Sequence, residues 1–365
     1  MKENIQSLKE LIDKITPIDK YAERKFHISQ MRIAKPLKSL GALDKIAYQI
    51  AGVRGITQID DFKKSIVIFA GDHGIASKHV SLFKSNVTSK VFKTIADGLA
   101  PINVIAKQVG ADITLVDLGL KECIDSDNFL NWKVKEGTND MTNTVAMSIS
   151  ETIEAILKGA KVLETEKNQN SNIIAVGEIG IGNTTAASAI TSVVCNISPN
   201  DVVGKGTGIS CEKVKYKTEI VKKSIDYHNL KVTDDPLRII SSIGGLEIAG
   251  VVGLILGAAA RKIPIIIDGF ITTAAASIAQ LLCPDISNYL IASHVSSEPG
   301  HKFLLEKMGL SPLLDLQMRL GMASGAAIAT SLVEIACKVS CQTGPYIDMN
   351  IEHIDRNLNW GSTEH

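Results

Sequence analysis

The chain has 365 residues, enough for one large α/β domain with an accessory piece and a substantial core. Its 39 Lys and Arg balance 39 Asp and Glu, so no overall basic field recommends nucleic acid or an anionic membrane as a partner. A small metabolite with local charge fits better.

Residues 1–15 predict an amphipathic charged helix rather than a signal sequence, because no apolar run follows the first lysine. From there, short β-branched strands alternate with helical patterns: strand 65–70, helix 87–107, strand 113–117, helix 150–166, strand 172–176, helices 185–194, 213–228 and 246–262, strand 263–267, helix 272–282, strand 289–292 and helix 324–339. Strands that are apolar on both faces suit a parallel sheet covered by helices. The expected fold is therefore α/β, doubly wound and Rossmann-like, with ligands bound beyond the carboxyl ends of the strands. The most apolar stretch, 248–260, is bounded by Glu247 and Arg261 and is too short to span a bilayer. Segments before residue 60 and after residue 330 are helical in pattern. They predict a small helical subdomain from 1–60 plus 331–365, beside a large nucleotide-binding domain at 61–330. No internal repeat or low-complexity linker interrupts the chain.

Six cysteines, at 123, 195, 211, 283, 337 and 341, lack both the paired spacing of a zinc site and the density of a secreted disulfide framework. They read as mostly buried thiols in a reducing cytoplasm. Cys337 and Cys341 share helical i, i+4 spacing with no histidine nearby, and read as core rather than as metal ligands. No metal and no cofactor is expected.

The most informative segment, Gly177-Glu178-Ile179-Gly180-Ile181-Gly182-Asn183-Thr184-Thr185, lies between a predicted strand and a predicted helix. Its glycines admit an anion close to backbone N–H groups, Asn and Thr can cap the helix, and the helix N-terminus favours phosphate. A tight turn with no ligand produces the same pattern. The spacing is neither that of a Walker loop nor that of a dinucleotide fingerprint, and no ribose-binding acid follows at the expected strand end, which disfavours a dehydrogenase. A mononucleotide suits it. A second loop, Gly204-Lys205-Gly206-Thr207-Gly208, precedes a helix carrying Lys217, which reads either as a phosphate-neutralising cation or as a solvated helix lysine. Three further polar clusters close predicted strands: Asp72-His73, Asp268-Gly269 and Ser293-His294. His73 beside Asp72 reads equally as an acid–base pair and as a loop brace.

In order along the chain, residues 36–41, FAGDHGIA (69–76), GEIGIGNTTAASA (177–189), VVGKGTG (202–208), GGLEIAG (244–250), PIIIDGF (264–270), SHVSSEPGH (293–301) and LLDLQMRLG (313–321) resemble the nicotinate-nucleotide:dimethylbenzimidazole phosphoribosyltransferases, which activate the lower-ligand base of cobamides. The resemblance covers nearly the whole chain. It implies a dimer-forming fold that transfers phosphoribose from nicotinate mononucleotide to an aromatic base, yielding an α-ribotide. By motif, Glu178, Gly180, Gly182, Asn183 and Thr184 line the nucleotide site, and Gly206, Lys217 and Ser293 hold its phosphate.

The acceptor side departs from the family. The family's general-base glutamate sits in R-L-G-E-G-S/T-G-A, where this chain has Arg319-Leu320-Gly321-Met322-Ala323-Ser324-Gly325-Ala326. Met322 thus replaces the base, and a thioether accepts no proton at useful pH. In the acceptor pocket the family's serine survives as Ser81, Lys90 replaces a glutamine, and the usual G-G-A-A-I-N reads Gly98-Leu99-Ala100-Pro101-Ile102-Asn103. Three readings follow from the resemblance: a non-catalytic subunit of a heterodimer with a homologue, as in phenol-activating relatives; a self-sufficient transferase with a phenolic or purine acceptor; or a nucleotide-binding sensor or scaffold.

Overall fold

All eight residues of the strand Lys64–Gly71 (β1) are buried, and their alternation feeds two cores. Val67 and Phe69 enter one hydrophobic cluster while Ile66, Ile68 and Ala70 enter another. A strand with period-two side chains that are apolar on both faces requires cover on both sides. The computed structural model describes residues 1–59 and 62–346. Within them the chain order is α1 (Lys2–Asp13), α2 (Lys20–Ser29), α3 (Ala42–Arg54), β1, α4 (Val87–Ala96), α5 (Pro101–Val109), β2 (Ala111–Gly119), β3 (Leu130–Asn131), α6 (Ile149–Lys161), β4 (Ile173–Ile179), α7 (Asn183–Cys195), α8 (Pro199–Val202), α9 (Cys211–His228), α10 (Pro236–Ile243), α11 (Leu246–Ala260), β5 (Ile265–Ile267), α12 (Phe270–Leu282), β6 (Leu290–Ala292), α13 (Gly300–Met308) and α14 (Ser324–Gln342).

The strands form one parallel sheet in the order β3-β2-β1-β4-β5-β6. This is the doubly wound α/β arrangement expected from the sequence, and the order reverses between β1 and β4. There the register Ala70↔Ile179 brings two strand ends side by side. Helices α1, α6, α7, α11 and α12 contribute to the core on one face, and α2, α3, α4, α5 and α14 to the core on the other. Helices α6 and α11 pack with almost no side-chain spacer: a β-carbon on Gly253 would lie 1.7 Å from the Ile156 carbonyl oxygen.

The chain ends meet through Gln30 Nε2, which donates to Ser340 O at 3.0 Å, and Ala34 N, which donates to Gly344 O at 2.8 Å. Phe26 of α2 and Cys337 of α14 share a hydrophobic cluster with Ile66 and Ile68 of the sheet, whereas Leu8 of α1 joins the opposite cluster. Residues 347–365 of the expected helical subdomain, with 60 and 61, lie outside the described residues. By length and composition α14 is apolar enough to cross a membrane, and more than half of it is buried against the protein.

Three expectations need correction. The helix expected over 87–107 is two helices, because Gly98 takes φ +78° and Pro101 opens α5 with no N–H to continue the first ladder. Asn103 seals the break, accepting from Ala100 N and donating to Ile95 O, both at 3.0 Å. The strand expected to stop at residue 176 runs on to Ile179, so Glu178 belongs to β4. Of the cysteines, Cys283 and Cys337 are buried, while Cys123 and Cys211 are exposed and the other two half-buried. Exposed thiols sit in polar loops and at a helix start, where no apolar periodicity called for burial.

Candidate active site

The polar residues that close β1, β4, β5 and β6 converge at the carboxyl edge of the sheet. Beyond β1, the Asp72 carboxylate accepts from Ser85 Oγ at 2.6 Å and from Lys121 N at 2.9 Å, so it braces loops. The partner of His73 is Glu247, in the first turn of α11, with Nε2 and Oε1 2.5 Å apart and both side chains buried. Sequence reading missed Glu247; the GGLEIAG motif was its only local signal. Beyond β6, Ser293 Oγ donates to Asp268 O at 3.1 Å and lies 2.9 Å from His294 Nδ1. The Asp268 carboxylate accepts from Ala326 N at 2.9 Å in the first turn of α14, and burial pushes its pKa up. His301 accepts from Ser296 N at 3.1 Å and meets Thr273 Oγ1 at 2.9 Å. Burial and the neighbouring His294 press its pKa down to about 3, so it is a neutral strut for the loop after β6.

Glu178 is the central ionisable group. Burial, followed by the charges of Glu247 and Asp268, drives its pKa up to about 8, while a hydrogen bond from Asn183 Nδ2 opposes the rise. At neutral pH it is therefore a protonated acid. Packing demands glycine on either side of it: a β-carbon at Gly177 would lie 2.1 Å from Ala323 N, and one at Gly180 would lie 2.7 Å from Gly71 O. These glycines serve the close approach of chains at the switch point, while Gly182, at φ +103°, makes the turn into α7.

The N-terminus of α7 faces the loop between α8 and α9. Lys217 of α9 is fully buried, not solvated, and donates from Nζ to Thr184 Oγ1 at 2.8 Å. Burial lowers its pKa to about 8, against the opposing influence of Glu298. Gly206 N donates to Glu298 Oε1 at 2.8 Å. A helix N-terminus, loop amides and a buried ammonium together suit a phosphate.

Between these parts lies a cavity of about 330 Å³. Glu178, Gly180, Asn183, Thr184, Gly206 and Met322 all line it. Lys217 lies behind Thr184, Ser293 behind Asp268, and Gly182 against His73 and Ile75. Ser81 touches the cavity wall through Thr207, its Oγ 2.9 Å from Thr207 Oγ1. The structure does not bring Lys90 into the cavity. It lies exposed on α4, whose Val87 and Val91 face inward, since residues four apart share one side of a helix. Leu99, at the α4–α5 break, is 77% exposed and also off the cavity. Met322 follows Gly321 into an unusual run: φ is +77° at Gly321, +58° at Met322 and +62° at Ala323. Left-handed backbone costs a residue with a β-carbon roughly 1–2 kcal/mol, and such strain gathers at functional sites.

A doubly wound parallel sheet with a phosphate-suited helix N-terminus and a cavity at its switch point is the arrangement in which α/β proteins of this class bind nucleotides. Residues 15–346 match the sequence profile of a family described as phosphoribosyltransferase. The nicotinate-nucleotide–dimethylbenzimidazole phosphoribosyltransferase of Dehalococcoides mccartyi is 37% identical over 348 residues, covering 95% of this chain and 99% of that relative. The enzyme of the same name from Clostridioides difficile is 41% identical over 303 residues, covering 83% and 87%. The crystal structure of CobT from Thermus thermophilus superposes with a TM-score of 0.87 at 30% identity, covering 91% of this chain and 99% of that one. The chain belongs to the nicotinate-nucleotide–dimethylbenzimidazole phosphoribosyltransferase family.

Proposed function

We propose that the chain binds nicotinate mononucleotide as phosphoribosyl donor and works in the cytoplasm, in the formation of α-ribotides for cobamide lower ligands, as the catalytically impaired subunit of a dimer with a homologous transferase. Its donor phosphate sits among the α7 N-terminus, Gly206 and Lys217, with Ser293 holding the Asp268 strand end behind it. In the reaction a ring nitrogen of the acceptor attacks C1 of the ribose from the face opposite nicotinate. The C1–N bond to nicotinate breaks, its electron pair returns to the pyridinium ring, and nicotinate leaves with a neutral ring nitrogen. That end needs no acid. The acceptor's ring proton needs a base.

The observation that carries the impaired reading is Met322, a cavity-lining thioether at the position where the motif resemblance expects the base. Loss of a general base removes about 10²–10⁴ of the rate. One further observation favours the second reading, a self-sufficient transferase with an altered acceptor: Glu178 Oε1 lies 3.9 Å from where a β-carbon on Gly321 would stand, beside Met322. An ionised Glu178 is a carboxylate in reach of the same region, and its pKa of about 8 makes such activity rise in alkaline solution.

The test is α-ribotide formation by the purified chain, alone and mixed with a homologous subunit that carries glutamate at the 322 position. Benzimidazole, adenine and phenol serve as acceptors. Turnover only in the mixture supports the impaired subunit; robust turnover alone overturns it in favour of the self-sufficient enzyme.

A further inference from the structure

The glycine loop between α8 and α9 offers backbone donors beside the Lys217 ammonium, and one of them is already taken. Gly206 N is bonded to Glu298 Oε1 at 2.8 Å. The other oxygen, Oε2, is buried with no hydrogen-bond partner among the described residues. It rests on the bare face of Gly204, where a β-carbon would come within 2.4 Å of it. Opposite stands Lys217, 3.3 Å from the position of a β-carbon on Gly206 and supported in its charged form by Glu298. An anion bonded to a glycine amide, seated in a glycine hollow and set near a buried ammonium, is in the arrangement a phosphate takes.

We propose that Glu298 is a built-in stand-in for the donor's phosphate: its carboxylate holds the phosphate site in the empty protein, and the incoming phosphate displaces it from Gly206 N. The inference rests on the reading of this loop as the donor's phosphate site. In the empty state Glu298 supplies the negative charge without which buried Lys217 stands uncompensated. Only one of its two oxygens meets a donor among the described residues, and a phosphate brings more oxygens and more charge to the same donors. Glu298 thereby sets a threshold that an incoming phosphate has to pass, and its displacement weakens the hold on phosphorylated ligands alone.

The test is calorimetric titration of the full chain at pH 7 with ribose 5-phosphate, nicotinate mononucleotide and nicotinate riboside, comparing wild type, Glu298→Gln and Glu298→Ala. Removing the competing charge-assisted bond lowers the Kd for both phosphorylated ligands about 10-fold or more. The riboside, which has no phosphate, is unaffected. Weaker or unchanged phosphate binding in Glu298→Gln, which keeps an oxygen for Gly206, overturns the proposal in favour of a purely structural brace. Equal tightening for the riboside overturns it too. Should Glu298→Ala fail to fold, the near-isosteric Gln variant decides alone. Tighter ribose 5-phosphate with no binding of nicotinate mononucleotide upholds the stand-in and refutes the donor.

Discussion

Replacing Met322 by glutamate asks whether the cavity lacks only its proton acceptor. Met and Glu are both unbranched at Cβ and of similar length, so the left-handed backbone at φ +58° penalises both alike and little repacking is expected. The new carboxylate enters the cavity beside Glu178, whose pKa of about 8 keeps it protonated at pH 7, so no like-charge repulsion opposes ionisation of the newcomer by that neighbour. A restored general base is worth about 10²–10⁴ in rate, or about 3–5 kcal/mol of barrier. The assay is initial-rate formation of α-ribotide from nicotinate mononucleotide and 5,6-dimethylbenzimidazole by the isolated variant, beside its Tm and its donor Kd. The gain should grow as pH rises through the ordinary glutamate range, about 4.3, and level off above it. A variant with wild-type Tm and donor affinity but no gain refutes the reasoning, and shows that the acceptor is excluded by something other than the missing base.

Lys217→Met should weaken nicotinate mononucleotide at least about 10-fold by calorimetry while sparing nicotinate riboside, because it removes a charge-assisted partner of phosphate alone. The same variant should stabilise the unliganded protein. The Lys217 pKa is lowered from 10.5 to about 8, so wild type bears the burial penalty below pH 8 and sheds it as pH climbs to 10.5, and denaturant titrations should show the gap between the two closing over that window. Glu178 shifts the other way: raised from 4.5 to about 8, it binds a proton in the folded state that the unfolded chain has lost, so its contribution is present below pH 4.5 and lost as pH rises through 8. Glu178→Gln should therefore gain Tm over wild type at pH 9 and lose that advantage near pH 5; a constant difference by calorimetry contradicts the assigned pKa. Gly253→Ala should cost about 1–3 kcal/mol in chemical denaturation by forcing α6 from α11, and an unchanged midpoint shows that the helices can part freely.

The sheet was legible because its signal is local. Each β-branched run carries its own burial demand on both faces, and each is closed by glycine or a polar residue, so strand, turn and helix follow from neighbours in the chain. The same locality explains the glycine loop read as a phosphate cradle, whose Asn183 and Thr184 open a helix directly after a strand end. It also explains where expectation and structure part. A helical pattern continued in sequence across Gly98 and Pro101, and an exposed Lys90 stood one position from the inward-facing Val91. Side-chain direction across a helix depends on which face the sheet claims, and no single residue states it.

The amino-acid sequence by itself determined the class of fold and the family, and it put a methionine at 322, since these reside in residue identity and order. Tertiary structure alone decided who meets whom. The partner of His73 is 174 residues away at Glu247, and the partner of Gly206 is 92 residues away at Glu298. Lys217 reads as an ordinary surface lysine until α9 is laid against α7, and Glu178 as an ordinary carboxylate until Glu247 and Asp268 are packed around it. Burial and the field of neighbouring charges are properties of the assembled interior, so the protonation states that govern this site exist only once the chain has folded.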